Sequence, residues 1–84
     1  MTVTVLLFAS YADAHGAPSL PVTVPAPATV GALVECVRAL PEAAALARRL
    51  PARPLVAVNA AYAGPEQVLA EGDEVAFIPP VAGG

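Results

Sequence analysis

Apolar and polar positions divide the chain into short strand-like runs around one helix-like stretch. Val3 to Ala9 (VTVLLFA) is rich in β-branched and aromatic residues and reads as a strand. A period of two puts Val3, Val5 and Leu7 on one face and Thr4, Leu6 and Phe8 on the other. Both faces carry apolar groups, so the run predicts a central strand. Ser10 to Ala17 reads as a loop or a short helix. Leu20 to Val24 (LPVTV) is a second strand, and Pro21 assigns it to an edge or interrupts it, because proline gives a ladder no N–H. Leu55 to Val58 (LVAV) is a third strand, followed by a turn at Asn59-Ala60-Ala61 and a very short strand at Tyr62-Ala63. Glu71-Gly72-Asp73 is a tight turn before the last strand, Glu74 to Ile78 (EVAFI).

The helical stretch begins at Thr29, an N-cap residue after a Pro25-Ala26-Pro27 breaker. Val30, Leu33, Val34, Val37 and Leu40 follow at helical spacing and form one apolar stripe. Pro41 interrupts the stripe and can open a second short helix, Pro41 to Leu50, which Pro51 and Pro54 stop. One helix across a mixed sheet of four to five strands is an α+β roll, with the first and last strands as central neighbours. Phase then predicts a core of Val3, Val5, Leu33, Val37, Val75 and Phe77. The same phase turns Leu6, Phe8, Ala76 and Ile78 outward as one exposed apolar patch, a partner-binding candidate unless Ser10 to Ala17 covers it.

Composition narrows the class. Eighty-four residues allow one small domain, which buries only about 60–65% of its unfolded surface, too little for a deep enclosed active site. The chain is 57% apolar and 13% charged, which excludes intrinsic disorder. Much of the excess is alanine, and the longest strongly apolar run, Val5 to Ala9, falls far short of the ~20 residues a spanning helix needs. No basic residue precedes that run, so no signal peptide is expected. Net charge is −3 with four arginines and no lysine, which argues against nucleic acid. Cys36 is the only cysteine and His15 the only histidine, so neither an internal disulfide nor a structural zinc site is expected. The cytoplasm follows by elimination.

The most specific chemistry lies in the last six residues. Residues 1–78 read as the domain and 79–84 as an extended tail. Pro79 and Pro80 hold φ near −65° and throw the chain outward from the last strand. Gly83 and Gly84 follow with no side chain, so their backbone can enter a channel that a Cβ would block. The one reactive group there is the carboxylate of Gly84, a poor acyl donor until it is activated.

The segment GDEVAFIPPVAGG, Gly72 to Gly84, closely resembles the end of the molybdopterin synthase small subunit, a ubiquitin-like β-grasp sulfur carrier family. VLLFA at Val5 to Ala9, TVGAL at Thr29 to Leu33 and VAVN at Val56 to Asn59 extend the likeness in the same order. Gly83-Gly84 alone is shared with the thiamine sulfur carrier and with ubiquitin-like modifiers. The resemblance implies a β-grasp fold and a cycle. A ubiquitin-activating-like adenylyltransferase uses ATP to adenylate Gly84, and sulfur from a persulfide displaces AMP to leave a thiocarboxylate. The tail, Pro79, Pro80, Val81, Ala82 and Gly83, then inserts into the large synthase subunit, where the sulfur attacks cyclic pyranopterin monophosphate. Two transfers build the dithiolene. The resemblance also implies a heterotetramer of two large and two small subunits, no bound cofactor or metal, and no catalysis by this chain alone. Its few functional side chains agree with that division of labour.

Other constellations are weaker. His15 and Cys36 could form a base–nucleophile pair, but a free cysteine beside an apolar stripe is commonly a small hydrophobe. Glu71, Asp73 and Glu74 read as a solvated turn, and Arg48, Arg49 and Arg53 as a helix-end surface feature. Tyr11 and Tyr62 sit in no motif. Two further functions stand beside the carrier: a ubiquitin-like modifier joined through Gly84 to a target lysine, and an inert binding module whose tail has no chemistry.

Overall fold

Five strands form a single sheet in the order β2-β1-β5-β3-β4. The computed structural model describes residues 1–80; Val81, Ala82, Gly83 and Gly84, which the sequence reading places in the tail, lie outside the described residues. The strands are β1 (Thr2–Leu7), β2 (Ser19–Thr23), β3 (Leu55–Val58), β4 (Ala61–Ala63) and β5 (Glu74–Ile78). β1 and β5 are parallel central neighbours, and all other pairings are antiparallel. Pro21 lies on edge strand β2 opposite Thr4, where one side of the strand needs no hydrogen bond.

Three helices, α1 (Ala9–His15), α2 (Val30–Ala39) and the one-turn α3 (Ala44–Ala47), complete the domain. The Thr29 side chain accepts the N–H of Ala32 at 3.2 Å, as its N-cap position requires. Leu40 before Pro41 is extended, at φ −75° and ψ 121°, which ends α2. All six core residues read from the sequence are buried: Val5, Leu33, Val37, Val75 and Phe77 are 0% exposed and Val3 1%.

One helical region differs from the sequence reading, and another takes the helical of the two forms that reading allows. The segment after Pro41 is a 3-10 turn (Pro41–Ala43) followed by α3. Ala43 leaves helical geometry at φ −109° and ψ 20°. So short a segment forms too few hydrogen bonds to offset helix nucleation, and its shape follows the burial of Ala43, Leu46 and Leu50. The segment after β1 is a true helix. Tyr11 is 2% exposed and anchors it to the core, while Gly16 ends it at φ 83° with its N–H on the Ala12 carbonyl.

The β3–β4 hairpin turns on two residues, one fewer than the sequence reading allows. Val58 pairs with Ala61, and Asn59 (φ 49°) and Ala60 (φ 72°) are both left-handed, a type I′ turn. Asn59 also ties the hairpin to β5. Its Nδ2 donates to Asp73 Oδ1 at 3.0 Å and its Oδ1 accepts the Glu74 N–H at 3.0 Å. The Ala70 N–H at 2.7 Å and the Asn59 amide hold the Asp73 carboxyl below its ordinary range. Ala60 has no such compensation for its left-handed backbone. Ala60→Gly is therefore expected to stabilise the protein by about 0.5–1 kcal/mol, the strain relieved less the entropy glycine adds to the unfolded chain. Thermal unfolding, with Tm raised by a few degrees, checks this.

Candidate functional site

The helices cover one face of the sheet and leave the other open. Across the open face the register sets Leu6 opposite Ala76, Ala76 opposite Ala57, and Ala57 opposite Tyr62. One step along β5, Ile78 pairs with Leu55, and Phe8 stands one residue past the Leu7–Phe77 pair. Alanines thus form the floor and larger side chains the walls. The result is a shallow depression of about 370 Å³ that contains Leu6, Phe8, Ala76 and Ile78 together with Ala57, Ala60, Tyr62 and Glu74. Phe8 is 48% exposed, Leu55 50% and Tyr62 76%.

The four residues assigned to the patch from strand phase therefore lie together. The segment Ser10 to Ala17 does not cover them, because α1 turns Tyr11 into the core and packs on α3. The face is graded along the strands, with Thr4 beside Glu74 at one end and Ile78 beside Leu55 at the other. The apolar end is where β5 finishes and where half-buried Pro79 and exposed Pro80 leave the domain. Val81 to Gly84, the rest of the expected tail, lie outside the described residues.

The sequence reading missed Tyr62 and Leu55 as members of this face. Leu55 shares the phase of Ala57 within LVAV. Tyr62 reaches the face because the turn has two residues; a three-residue turn leaves its register open.

The rival constellations do not assemble. His15 Nδ1 is buried without a hydrogen-bond partner, so it makes no bond to Cys36, which packs half-buried against the core on α2. The Tyr11 hydroxyl is likewise buried and unpartnered, and desolvation pushes its pKa up. Among the described residues no group of three or more His, Cys, Asp or Glu side chains could hold a metal. No helix there is long and apolar enough to cross a membrane.

Comparison with known proteins agrees with this geometry. Residues 5–84 match the ThiS family. SAMP1 from Haloferax volcanii is 30% identical, each chain covers 100% of the other, and the TM-score is 0.85. A chain of the Amycolatopsis orientalis BexX/CysO complex is 26% identical over 98% of this chain and 99% of that one, with a TM-score of 0.73. The putative molybdopterin converting factor subunit 1 from Pyrococcus furiosus shares the fold at 24% identity and a TM-score of 0.80, over 96% of this chain and 99% of its own. With the match spanning nearly the whole length and the sheet order that of a β-grasp, the chain belongs to the ThiS family and has the ubiquitin-like sulfur-carrier fold.

Proposed function

We propose that this protein is the sulfur carrier of molybdopterin synthesis, with the Gly84 carboxylate as its working group. The observation that carries the reading is the coincidence of an open apolar face with the root of a GDEVAFIPPVAGG tail. An activating adenylyltransferase uses ATP to convert the carboxylate to an acyl-adenylate; the outer sulfur of a persulfide displaces AMP to form an acyl disulfide, and a thiol then breaks the S–S bond, releasing the thiocarboxylate and leaving a disulfide. The face then docks on the large synthase subunit while Pro79, Pro80, Val81, Ala82 and Gly83 carry the thiocarboxylate into that subunit's active site. The chain supplies the acyl group and the sulfur, and the large subunit supplies the acid–base groups and the site for cyclic pyranopterin monophosphate.

Phe8→Asp tests the docking face. Position 8 is the N-cap of α1 and lacks a side-chain cap, so aspartate there suits the helix and the fold is expected to persist. Desolvating a carboxylate in an apolar contact is costly, and binding to the large subunit is expected to weaken at least tenfold by calorimetry. Unchanged affinity with an intact circular dichroism spectrum would move the interface off this face.

A second reading is protein modification through Gly84, favoured by full-length similarity to SAMP1 at 30% identity. With no lysine, this chain cannot build side-chain-linked polymers on itself, though other proteins remain targets. Isopeptide-linked Gly84 remnants on host lysines would support that reading; a thiocarboxylate pool without them supports the carrier. A carrier for another sulfur pathway, such as thiamine, is separated by which synthase the thiocarboxylate serves.

A further inference from the structure

The unpaired arginines are gathered in one segment. Of four arginines, Arg38 is occupied: its Nε lies 3.4 Å from Glu35 Oε2, and its guanidinium donates to the Leu50 and Pro51 carbonyl oxygens. Arg48, Arg49 and Arg53 are exposed, and among the described residues none makes an ion pair or a side-chain hydrogen bond. The backbone that bears them is held from beneath. Leu50 is 7% exposed in the core, and Arg38 clamps the carbonyls of residues 50 and 51 to α2.

The sheet register fixes where this segment stands. It runs into β3, whose first residue, Leu55, pairs with Ile78, the last residue of β5. The arginines therefore lead into the end of the sheet from which Pro79 and Pro80 depart. Glu71, Asp73 and Glu74 stand at the opposite end, where the Thr2 N–H meets both Glu71 carboxylate oxygens at 3.2 and 3.1 Å and Asn59 meets Asp73. Asp13 on α1, Glu35 on α2 and Glu42 in the 3-10 turn are the exposed acids of the helical layer; Glu35 lines one cleft with Arg53, and none of the three forms an ion pair with Arg48, Arg49 or Arg53. The three unpaired arginines of a chain of net charge −3 thus lead toward the tail end of β5, and three of its seven carboxylates stand at the other.

We infer that Arg48, Arg49 and Arg53 are a second docking element, which recognises an acidic surface on the adenylyltransferase that activates the tail. The apolar face supplies short-range contact area but little direction. A cationic segment beside the tail root, with anionic groups at the far end, turns the tail end toward an acidic partner during encounter. Three arginines on a net acidic chain are too few to make a nucleic-acid surface, which leaves a protein surface as the occupant. The inference rests on the proposal that the tail is handed to a protein partner.

The test is stopped-flow association of the full chain with the purified adenylyltransferase of its host, at about 20 mM and about 300 mM NaCl. Wild-type kon is expected to fall about tenfold across that range. The triple variant Arg48→Glu, Arg49→Glu, Arg53→Glu, checked for folding by circular dichroism, is expected to lose about tenfold or more in kon at low salt and most of the salt dependence. The corresponding triple Gln variant is expected to lose less, and koff to change less than about twofold in both, as rim charges act mainly on association. Wild-type kon and salt dependence in both triple variants would overturn the arginine element and leave the functional reading standing. No association of the wild-type chain at either salt concentration would overturn the functional reading and this inference together.

Discussion

Phe77→Ala is expected to destabilise the protein by about 3–5 kcal/mol, the largest effect of any single truncation in the core. Phe77 is 0% exposed and lies on β5, between Leu7 of β1 and Val56 of β3. Removal of the ring leaves a void bounded by two strands on either side and the helical layer in front. Such a site has little freedom to collapse, so transfer and cavity terms add. Domain stabilities are typically about 5–15 kcal/mol, and an 84-residue chain with modest burial belongs near the lower end. The variant should therefore populate the unfolded state measurably at ambient temperature. Urea unfolding reads the effect as a lowered midpoint with an unchanged slope. A loss below about 1 kcal/mol would contradict this account of the core.

Gly84→Ala is expected to leave folding intact and abolish most sulfur transfer. Position 84 lies outside the described residues, and chain ends generally contribute little to stability. Its effect is on the reacting carbon. A Cβ beside the carboxyl needs room that a Gly-Gly backbone does not, and a misplacement of about 1 Å can lower a rate on the order of a hundredfold. A reconstituted synthase assay with the large subunit, alongside a thermal melt of the variant, separates the two effects. Wild-type turnover by the alanine variant would count against the proposed mechanism.

Much of this fold is legible in the chain because its strands carry strict phase. VTVLLFA and EVAFI carry apolar residues on both faces, but a period of two still divides each into two sets, so the buried set and the outward set both follow from one assumption about which face is covered. Thr29 is similarly explicit, since its hydroxyl has one evident task before an apolar helical stripe. Local patterns fail where backbone geometry is unusual for its residue. Ala60 and Ala9 are left-handed at φ 72° and 46°, and an alanine announces neither a tight turn nor an abrupt helix start. That is why the β3–β4 turn reads one residue too long and why Tyr62 escapes the face it joins. The setting of Arg48, Arg49 and Arg53 is hidden for a different reason. It depends on the pairing of Leu55 with Ile78, a contact across 23 residues that no local motif encodes.

Sulfur on Gly84 is read directly by intact-mass spectrometry of the protein purified from its native host. The account predicts a species heavier by one oxygen-to-sulfur exchange, with fragmentation placing the change at Gly84. It also predicts that this species vanishes when the host's adenylyltransferase is deleted. A chain with an unmodified carboxylate under conditions of active molybdopterin synthesis would contradict the account.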